Sequence, residues 1–418
     1  MKKLLLLLPI FLLANTLSAQ FVEVSYGTEY TEQAYYKLDS DETTNIFNSD
    51  WDIAFSTVGT QDAAIFINEA TGSSETALEL YRAPTDNFED AINTDDLTEW
   101  LNNDELSWDF GAFNSIRSPD NALDFGWGQY NTTNHIIGGT SVFVLKLRDE
   151  SYKKIQIESL ALGIYTFKYA SLDGSNEITQ TIDKNDFLES DFAYFSFGTE
   201  QTIETIPAEW DLLFTRYTTP IDDGTGAILD YLVTGVLSGT GVEIAQADGV
   251  DPETVDFELY GDSLQNVLDI IGYDWKTFDL STFQWSLPAD RAYFVKTAIG
   301  DIWKIVFVDF EGSSTGNVVF QKTDLGTISA VEQPGVFTDC NVFPNPVRGE
   351  ANLTFSLKNA QQVKITLGDL YGRTIWSDSK QATAGFNAQI LPNFDLPSGV
   401  YYLTLEGDGS FLTRKIIK

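Results

Sequence analysis

The chain has 418 residues, with 62 Asp/Glu against 25 Lys/Arg and a single His, Cys and Met. That balance argues against nucleic-acid binding, which needs clustered cations, and one Cys leaves no internal disulfide framework. The charge is unevenly placed: Gln20 to Cys340 carries 15 Lys/Arg and 56 Asp/Glu, net −41, whereas Asn341 to Lys418 carries 8 and 6, net +2.

In chain order, residues 1–19 open with Met1-Lys2-Lys3, continue as an apolar run from Leu4 to Ala14 and leave through Ser18-Ala19. A positive start, a short apolar stretch and a small residue at the cut are the pattern of a cleaved signal peptide, expected to end at Ala19. The run is about half of what a membrane span needs. No later stretch is apolar enough to cross a bilayer, so a mature chain without a transmembrane segment is expected.

The body contains an internal repeat. Trp51-Asp52-Ile53-Ala54-Phe55 recurs as Trp210-Asp211-Leu212-Leu213-Phe214, with an aromatic pair upstream in each copy, Tyr35-Tyr36 and Tyr194-Phe195. The Trp follows the first aromatic by 16 positions in both. Phe143-Val144-Leu145-Lys146 matches Tyr293-Phe294-Val295-Lys296. Eight residues beyond each closing Lys come Lys154-Ile155-Gln156-Ile157 and Lys304-Ile305-Val306-Phe307. Gly126-Trp127 and Gly272-Tyr273 hold comparable places, and each copy closes with a short strand after Gly163 or Gly316. Two homologous units are therefore expected, 20–178 and 187–326, followed by a linker over 327–340.

Each unit reads as mostly strand, with alternation plain over Lys154 to Leu160 and Trp303 to Phe310. One short helix per unit is expected. Asp95 to Asn102 starts on an acidic cap and places Leu97, Trp100 and Leu101 at helical spacing, and Asp262 to Ile271 does the same with Leu264, Val267, Leu268 and Ile271. A polar insert runs from Ala83 to Asn121. In the Trp-Asp motif, Trp, Ile or Leu, and Phe are expected on one strand face and core-bound. The Asp is expected on the other face, bonding backbone amides.

From Val342 to the C-terminus, strand-like segments are expected at Ala351–Leu357, Gln362–Leu367, Thr374–Trp376, Phe386–Leu391, Gly399–Leu405 and Ser410–Ile417, separated by Gly, Asn, Asp or Pro. This is the pattern of a small Ig-like antiparallel β-sandwich. The stretch resembles the type A sorting domain of the type IX secretion system. The resemblance rests on Phe343-Pro344-Asn345-Pro346, Gly368-Asp369-Leu370-Tyr371-Gly372-Arg373, Pro397-Ser398-Gly399-Val400-Tyr401-Tyr402-Leu403 and Thr413-Arg414-Lys415-Ile416-Ile417-Lys418. It implies passage across the outer membrane, with the secretion machinery and its sorting protease as partners. The cargo is then released or held at the surface.

The body resembles the HmuY-like family of Bacteroidetes surface proteins. The second unit does so through Tyr194-Phe195-Ser196-Phe197, Trp210 to Arg216, Ile271-Gly272-Tyr273-Asp274-Trp275-Lys276 and Tyr293 to Lys296. The first unit does so through Tyr36, Trp51 to Phe55 and Phe143 to Ile157. The resemblance implies a β-rich fold and, in founding members, haem capture by paired His or Met. This chain has only His135, and Met1 leaves with the signal peptide. Haem iron is held by His, Met, Cys or Tyr, so His135, alone or with a Tyr, is the one cofactor-binding candidate.

Catalytic signatures are weak. One His serves acid–base chemistry poorly, no Gly-x-Ser-x-Gly elbow occurs, and Cys340 falls in the expected linker. Carboxylate pairs are too abundant to be informative. The acidic turns Asp39-Ser40-Asp41-Glu42, Asp222-Asp223-Gly224-Thr225-Gly226 and Asp248-Gly249-Val250-Asp251 could offer oxygens to Ca²⁺, but none has the spacing of a calcium loop. The expectation is a secreted or surface-displayed, mainly β, non-enzymatic binding protein. It takes an unknown extracellular ligand and needs no cofactor. A haem binder using His135, a Ca²⁺-binding variant and a carboxylate hydrolase are the alternatives.

Overall fold

Among the described residues, thirty strands are joined by turns and single 3-10 turns. The computed structural model describes residues 19–418 except 60–61, 223, 328–335, 344, 346, 348–350, 370–372, 395, 398 and 408–409. The signal segment 1–18, much of the linker and parts of the sorting motifs lie outside the described residues. The first stretch holds β1 Gln20–Ser25, β2 Glu32–Tyr36, β3 Thr43–Phe47, β4 Ile53–Ser56, β5 Ile65–Ile67, β6 Glu79–Arg82, β7 Trp100–Leu101, β8 Gly128–Asn131, β9 Ile136–Gly139, β10 Phe143–Lys146, β11 Tyr152–Ala161 and β12 Ile164–Ala170. The second holds β13 Ile178–Asp183, β14 Phe192–Ser196, β15 Gln201–Ile203, β16 Leu212–Asp222, β17 Ile228–Ser238, β18 Glu243–Asp248, β19 Thr277–Asp279, β20 Gln284–Ser286, β21 Arg291–Lys296, β22 Asp301–Phe310 and β23 Asn317–Thr327. The tail holds β24 Phe337–Phe343, β25 Ala351–Leu357, β26 Gln361–Asp369, β27 Thr374–Ala382, β28 Gly385–Leu391, β29 Val400–Gly407 and β30 Ser410–Ile417.

Strands β1–β6 and β13–β18, and likewise β10–β12 and β21–β23, hold matching places in the order and pairing of elements. The two copies are nevertheless interleaved. One outer sheet runs β13-β12-β11-β10-β6-β7, with the β8–β9 hairpin on β11, and the other runs β1-β23-β22-β21-β18. The inner sheets are mixed: β15-β14-β4-β5 and β17-β16-β2-β3. Each copy thus gives its second and third strands to the inner sheet of the other, and β1 closes the ring by pairing Gln20–Ser25 with Asn317–Lys322. At that closure a Cβ on Gly316 (φ +76°) would lie 2.3 Å from the Gly27 carbonyl oxygen, so the crossing needs glycine.

Alternation explains the stacking. On β4, Ile53 and Phe55 face the first outer sheet while Ala54 faces the second inner sheet. On β16, Leu212 and Phe214 face the second outer sheet and Leu213 and Tyr217 turn inward. Period-two side chains thus feed two cores from each inner strand. The result is four β layers with three cores between them. Further pairs recur in both copies. Lys146 bonds Glu79 at 2.9 Å and Lys296 bonds Glu243 at 2.7 Å. Lys154 donates to the Asp90 carbonyl at 3.0 Å, and Lys304 to the Pro252 carbonyl at 2.6 Å. Register shifts interrupt β11–β12 between Ile157 and Ser159, and β22–β23 between Phe307 and Asp309.

Both expected helices are corrected. Thr94–Asp96 is one 3-10 turn capped by Asn93, after which Leu97 is extended and Trp100–Leu101 pairs with β6. Gly261–Ser263 is another, after which Gln265 bridges Ile244 and the Leu268 carbonyl accepts from Ser238 N. Segments this short are marginal as helices, and neighbouring strand edges supply partners for their backbone groups.

The tail is a seven-stranded antiparallel sandwich of sheets β24-β25-β28 and β27-β26-β29-β30. The expected strands at Ala351–Leu357 and Ser410–Ile417 coincide with β25 and β30. Cys340, expected in the linker, is instead a fully buried residue of β24 in the core of this sandwich. The tail meets the body where Phe386 packs on Phe125 and Tyr130 and where Arg414 lies 3.7 Å from Asp109.

Candidate functional site

The repeated Trp-Asp motif shapes the centre of the molecule. Asp52 Oδ2 accepts from Phe197 N at 2.7 Å, and Asp211 Oδ2 accepts from Leu38 N at 2.8 Å. The same two residues donate their own amides to the Phe195 and Tyr36 carbonyls, both at 2.9 Å. Each acid therefore pins its strand to the exchanged strand of the other copy, as amide-bonding acids should. The expected placement of the Trp is corrected. Trp51 precedes β4 across a bend at Asp52 and lies in the central core, on the opposite side from Ile53 and Phe55. Trp210 packs against the same core.

The two tryptophans make related contacts. Trp51 meets Tyr194 edge-on at 5.0 Å between ring centroids, and Trp210 meets Tyr35 at 5.3 Å. The loop after β7 lays Trp108 across them, 5.5 Å from Phe66 and 5.3 Å from Phe192, with its indole N–H donating to the Ser238 carbonyl at 2.9 Å. This loop breaks the pseudo-symmetry and leaves a solvent-reached cavity of about 60 Å³ between the inner sheets. Its lining is largely aromatic and includes Glu69, Asp104, Glu105 and Arg216.

Glu69 is a brace. One carboxylate oxygen accepts from Asn103 N and the other from Thr218 N, each at 2.9 Å, joining the loop to both inner sheets. Burial pushes its pKa up to about 7 against the pull of those two amides. Glu105 is likewise raised to about 7, mainly by desolvation and then by the negative charges of Asp104, Asp269 and Glu69. Arg216 is lowered by burial, donates to the Thr71 carbonyl at 2.5 Å and lies over the Tyr30 ring. Tyr217 is 4% exposed, and its hydroxyl finds no hydrogen-bond partner among the described residues. A Cβ on Gly235 would lie 2.8 Å from the edge of its ring, so a glycine there leaves it room.

His135 lies elsewhere. It is exposed at the β8–β9 turn with φ +58°, and its Nδ1 is 2.7 Å from the Tyr130 hydroxyl. It does not line the central cavity. Asp41 bonds Lys322 and the Tyr36 hydroxyl, Asp222 accepts from Gly224 and Gly226 amides, and Asp248 pairs with Arg291 at 2.5 Å. Among the described residues, no group of three or more His, Cys, Asp or Glu is arranged to hold a metal ion. Sequence reasoning did not single out Glu69, Glu105 or Tyr217. Tyr217 had a signal in its period-two spacing from Leu213 on β16, whereas Glu105 sat in a polar insert without any.

Residues 341–418 match the family described as secretion system C-terminal sorting domain. The tail is accordingly a type IX sorting domain, and the chain is a cargo exported to the cell surface or the medium. No curated protein matches the chain. Among solved structures, apo PinO from Porphyromonas gingivitis is 10% identical, with a TM-score of 0.24, over 75% of this chain and 100% of that one. An endonuclease/exonuclease/phosphatase from Beutenbergia cavernae DSM 12333 is 11% identical, with a TM-score of 0.14, over 51% of this chain and 68% of that one. Both superpositions are too loose to carry fold or function to this chain.

Proposed function

We propose that the body is a non-catalytic, HmuY-like binding module that the sorting domain delivers outside the cell, and that its ligand enters the cavity between the inner sheets. The observation that carries this reading is the cavity itself: aromatic walls, a few polar groups in the lining and rigid strands on two sides, the usual make-up of a small-molecule site. The repeated aromatic and Trp-Asp motifs support the HmuY-like part. Haem capture is not part of the proposal, because His135 is exposed, already bonded to Tyr130 and outside the cavity. Hydrolysis is not part of it either, because Glu69 spends both carboxylate oxygens on backbone amides.

The test pairs two measurements on the full chain. An absorbance titration with haemin beside His135→Ala is expected to give no Soret band beyond that of free haemin. A band lost in His135→Ala would establish haem ligation and overturn the proposal. A panel of glycans and amphiphilic small molecules, followed by thermal shift and by turnover, is expected to yield stabilisation without product. That stabilisation should be lost in Trp108→Ala, which removes the indole over the cavity. Turnover abolished by Glu105→Gln would make the protein a hydrolase.

A further inference from the structure

Residues 104–110, in the loop after β7, form a partition between two cavities. Glu105 and Trp108 line the central one. Leu106, Asp109 and Phe110 line a second, of about 70 Å³, together with Val342, Asn345 and Arg414 of the tail. The partition belongs to no strand. It closes on itself where Asp104 N donates to the Phe110 carbonyl at 3.2 Å. It is tied to the body where the Leu106 carbonyl accepts from Leu268 N at 3.1 Å and the Trp108 indole donates to the Ser238 carbonyl at 2.9 Å.

The tail braces the partition from outside. Arg414 on β30 lies 3.7 Å from Asp109, and its Nε donates to the Cys340 carbonyl on β24 at 2.6 Å, so the sandwich itself holds the guanidinium in place. Further along the same loop, Asn352 on β25 donates to the Pro119 carbonyl. Phe386 on β28 packs 6.5 Å from the Phe125 ring and 5.4 Å from the Tyr130 ring. With the tail docked, the central cavity of about 60 Å³ has room for a few waters. Small-molecule sites run to about 300–1,000 Å³. A ligand therefore fits only when a wall moves outward, and the partition is a wall whose outward path the tail blocks.

We propose that the docked sorting domain is a clasp on the central cavity, holding residues 104–110 inward and keeping ligand affinity low until the tail leaves its seat. This role rests on the cavity being the binding site. Two coupled sites typically change each other's affinity by about 5-fold to 150-fold, so the docked form still binds, only more weakly. By the same linkage, a ligand in the cavity loosens the tail by an equal factor. The cargo is thus weakly binding while it carries its export address and strongly binding once the tail is off.

The experiment uses the full chain beside Phe386→Ser and Asp109→Asn, which weaken the seat from the tail side and from the body side. Phe386 touches Phe125 and Tyr130 rather than residues 104–110, so an effect on the partition reports the clasp and not local damage. Hydrogen exchange is followed at the Asp104 and Leu268 amides, and binding is followed with the neutral dye Nile red. Both variants are expected to exchange at these amides about tenfold faster, with β22 and β29 amides unchanged as the sign that body and tail stay folded. Both are also expected to bind Nile red about tenfold more tightly than the unaltered chain, and adding Trp108→Ala should remove that gain. Unchanged exchange in both variants overturns the clasp and leaves the cavity reading standing. Faster exchange without any gain in Nile red overturns the cavity as the binding site, and the gating role with it. A gain kept in Trp108→Ala places the dye on the uncovered Phe125 and Tyr130 and overturns the gating role as well.

Discussion

Asp52 and Asp211 hold the same place in the two halves. Each is nearly buried and accepts from one backbone amide two residues beyond an aromatic of the exchanged strand. Removing the carboxylate leaves that amide buried without a partner, which costs about 1–3 kcal/mol. Asp52→Ala and Asp211→Ala are each expected to destabilise by that amount in urea melts, with similar values for the two. A large loss at only one site would show that the halves are not mechanically equivalent. Glu105 acts with the opposite sign. Its folded pKa, about 7, lies above the ordinary carboxylate value, so the ionised form costs the fold stability. That cost is complete above about pH 7 and fades as pH falls towards the unfolded value of about 4.5. Glu105→Gln is therefore expected to raise stability by about 1–3 kcal/mol at pH 8 and by little at pH 5. A gain that does not change with pH would contradict this.

At the scale of elements, the exchange of β2–β3 against β14–β15 decides how the body folds. An inner sheet with only its own copy's strands would be a two-stranded ribbon, which is marginal in water. Segments 20–178 and 179–327 expressed apart are expected to be unfolded or aggregated, since each lacks half of one inner sheet and exposes strand edges. Expressed together they should recover a cooperative melt and co-purify. Two separately folded halves would mean that the exchange is not needed. Contacts at this scale are largely non-local, with β1 pairing β23 some three hundred positions away, so slow folding is expected.

For the whole molecule, the body's four stacked layers carry a dense negative charge outside and three apolar cores within, and the near-neutral tail adds a sandwich with its own core. Self-repulsion of the acidic body weakens the compact state, and salt screens it. Raising NaCl from about 10 mM to about 300 mM is expected to increase Tm. A lower Tm would show that ion pairs such as Lys146–Glu79 and Lys296–Glu243 outweigh the repulsion. The charge contrast between body and tail also follows the functional division: the tail carries the export address, while the body carries the cavity.

The export module and the strand character of the chain were legible in the amino-acid order alone, and the recurring motifs suggested a repeat. These are local properties: ordered motifs, period-two alternation and spacing between identical residue types. The amino-acid order also indicated that Asp52 and Asp211 would bond backbone amides, because a strand acid between core residues has few other partners. Only the tertiary structure decided which strand pairs with which. Alternation says that a strand has two faces and is silent about which neighbour covers them, so the exchange between the copies and the central position of Trp51 stayed hidden. The two helices failed for the same reason, as strand edges distant in the chain claimed the backbone groups of Leu97 to Leu101 and of Gln265. Glu69, Glu105 and Tyr217 became a site only when β5, β16 and the loop after β7 met, because a carboxylate's role depends on burial and neighbouring charge, and both are set by packing.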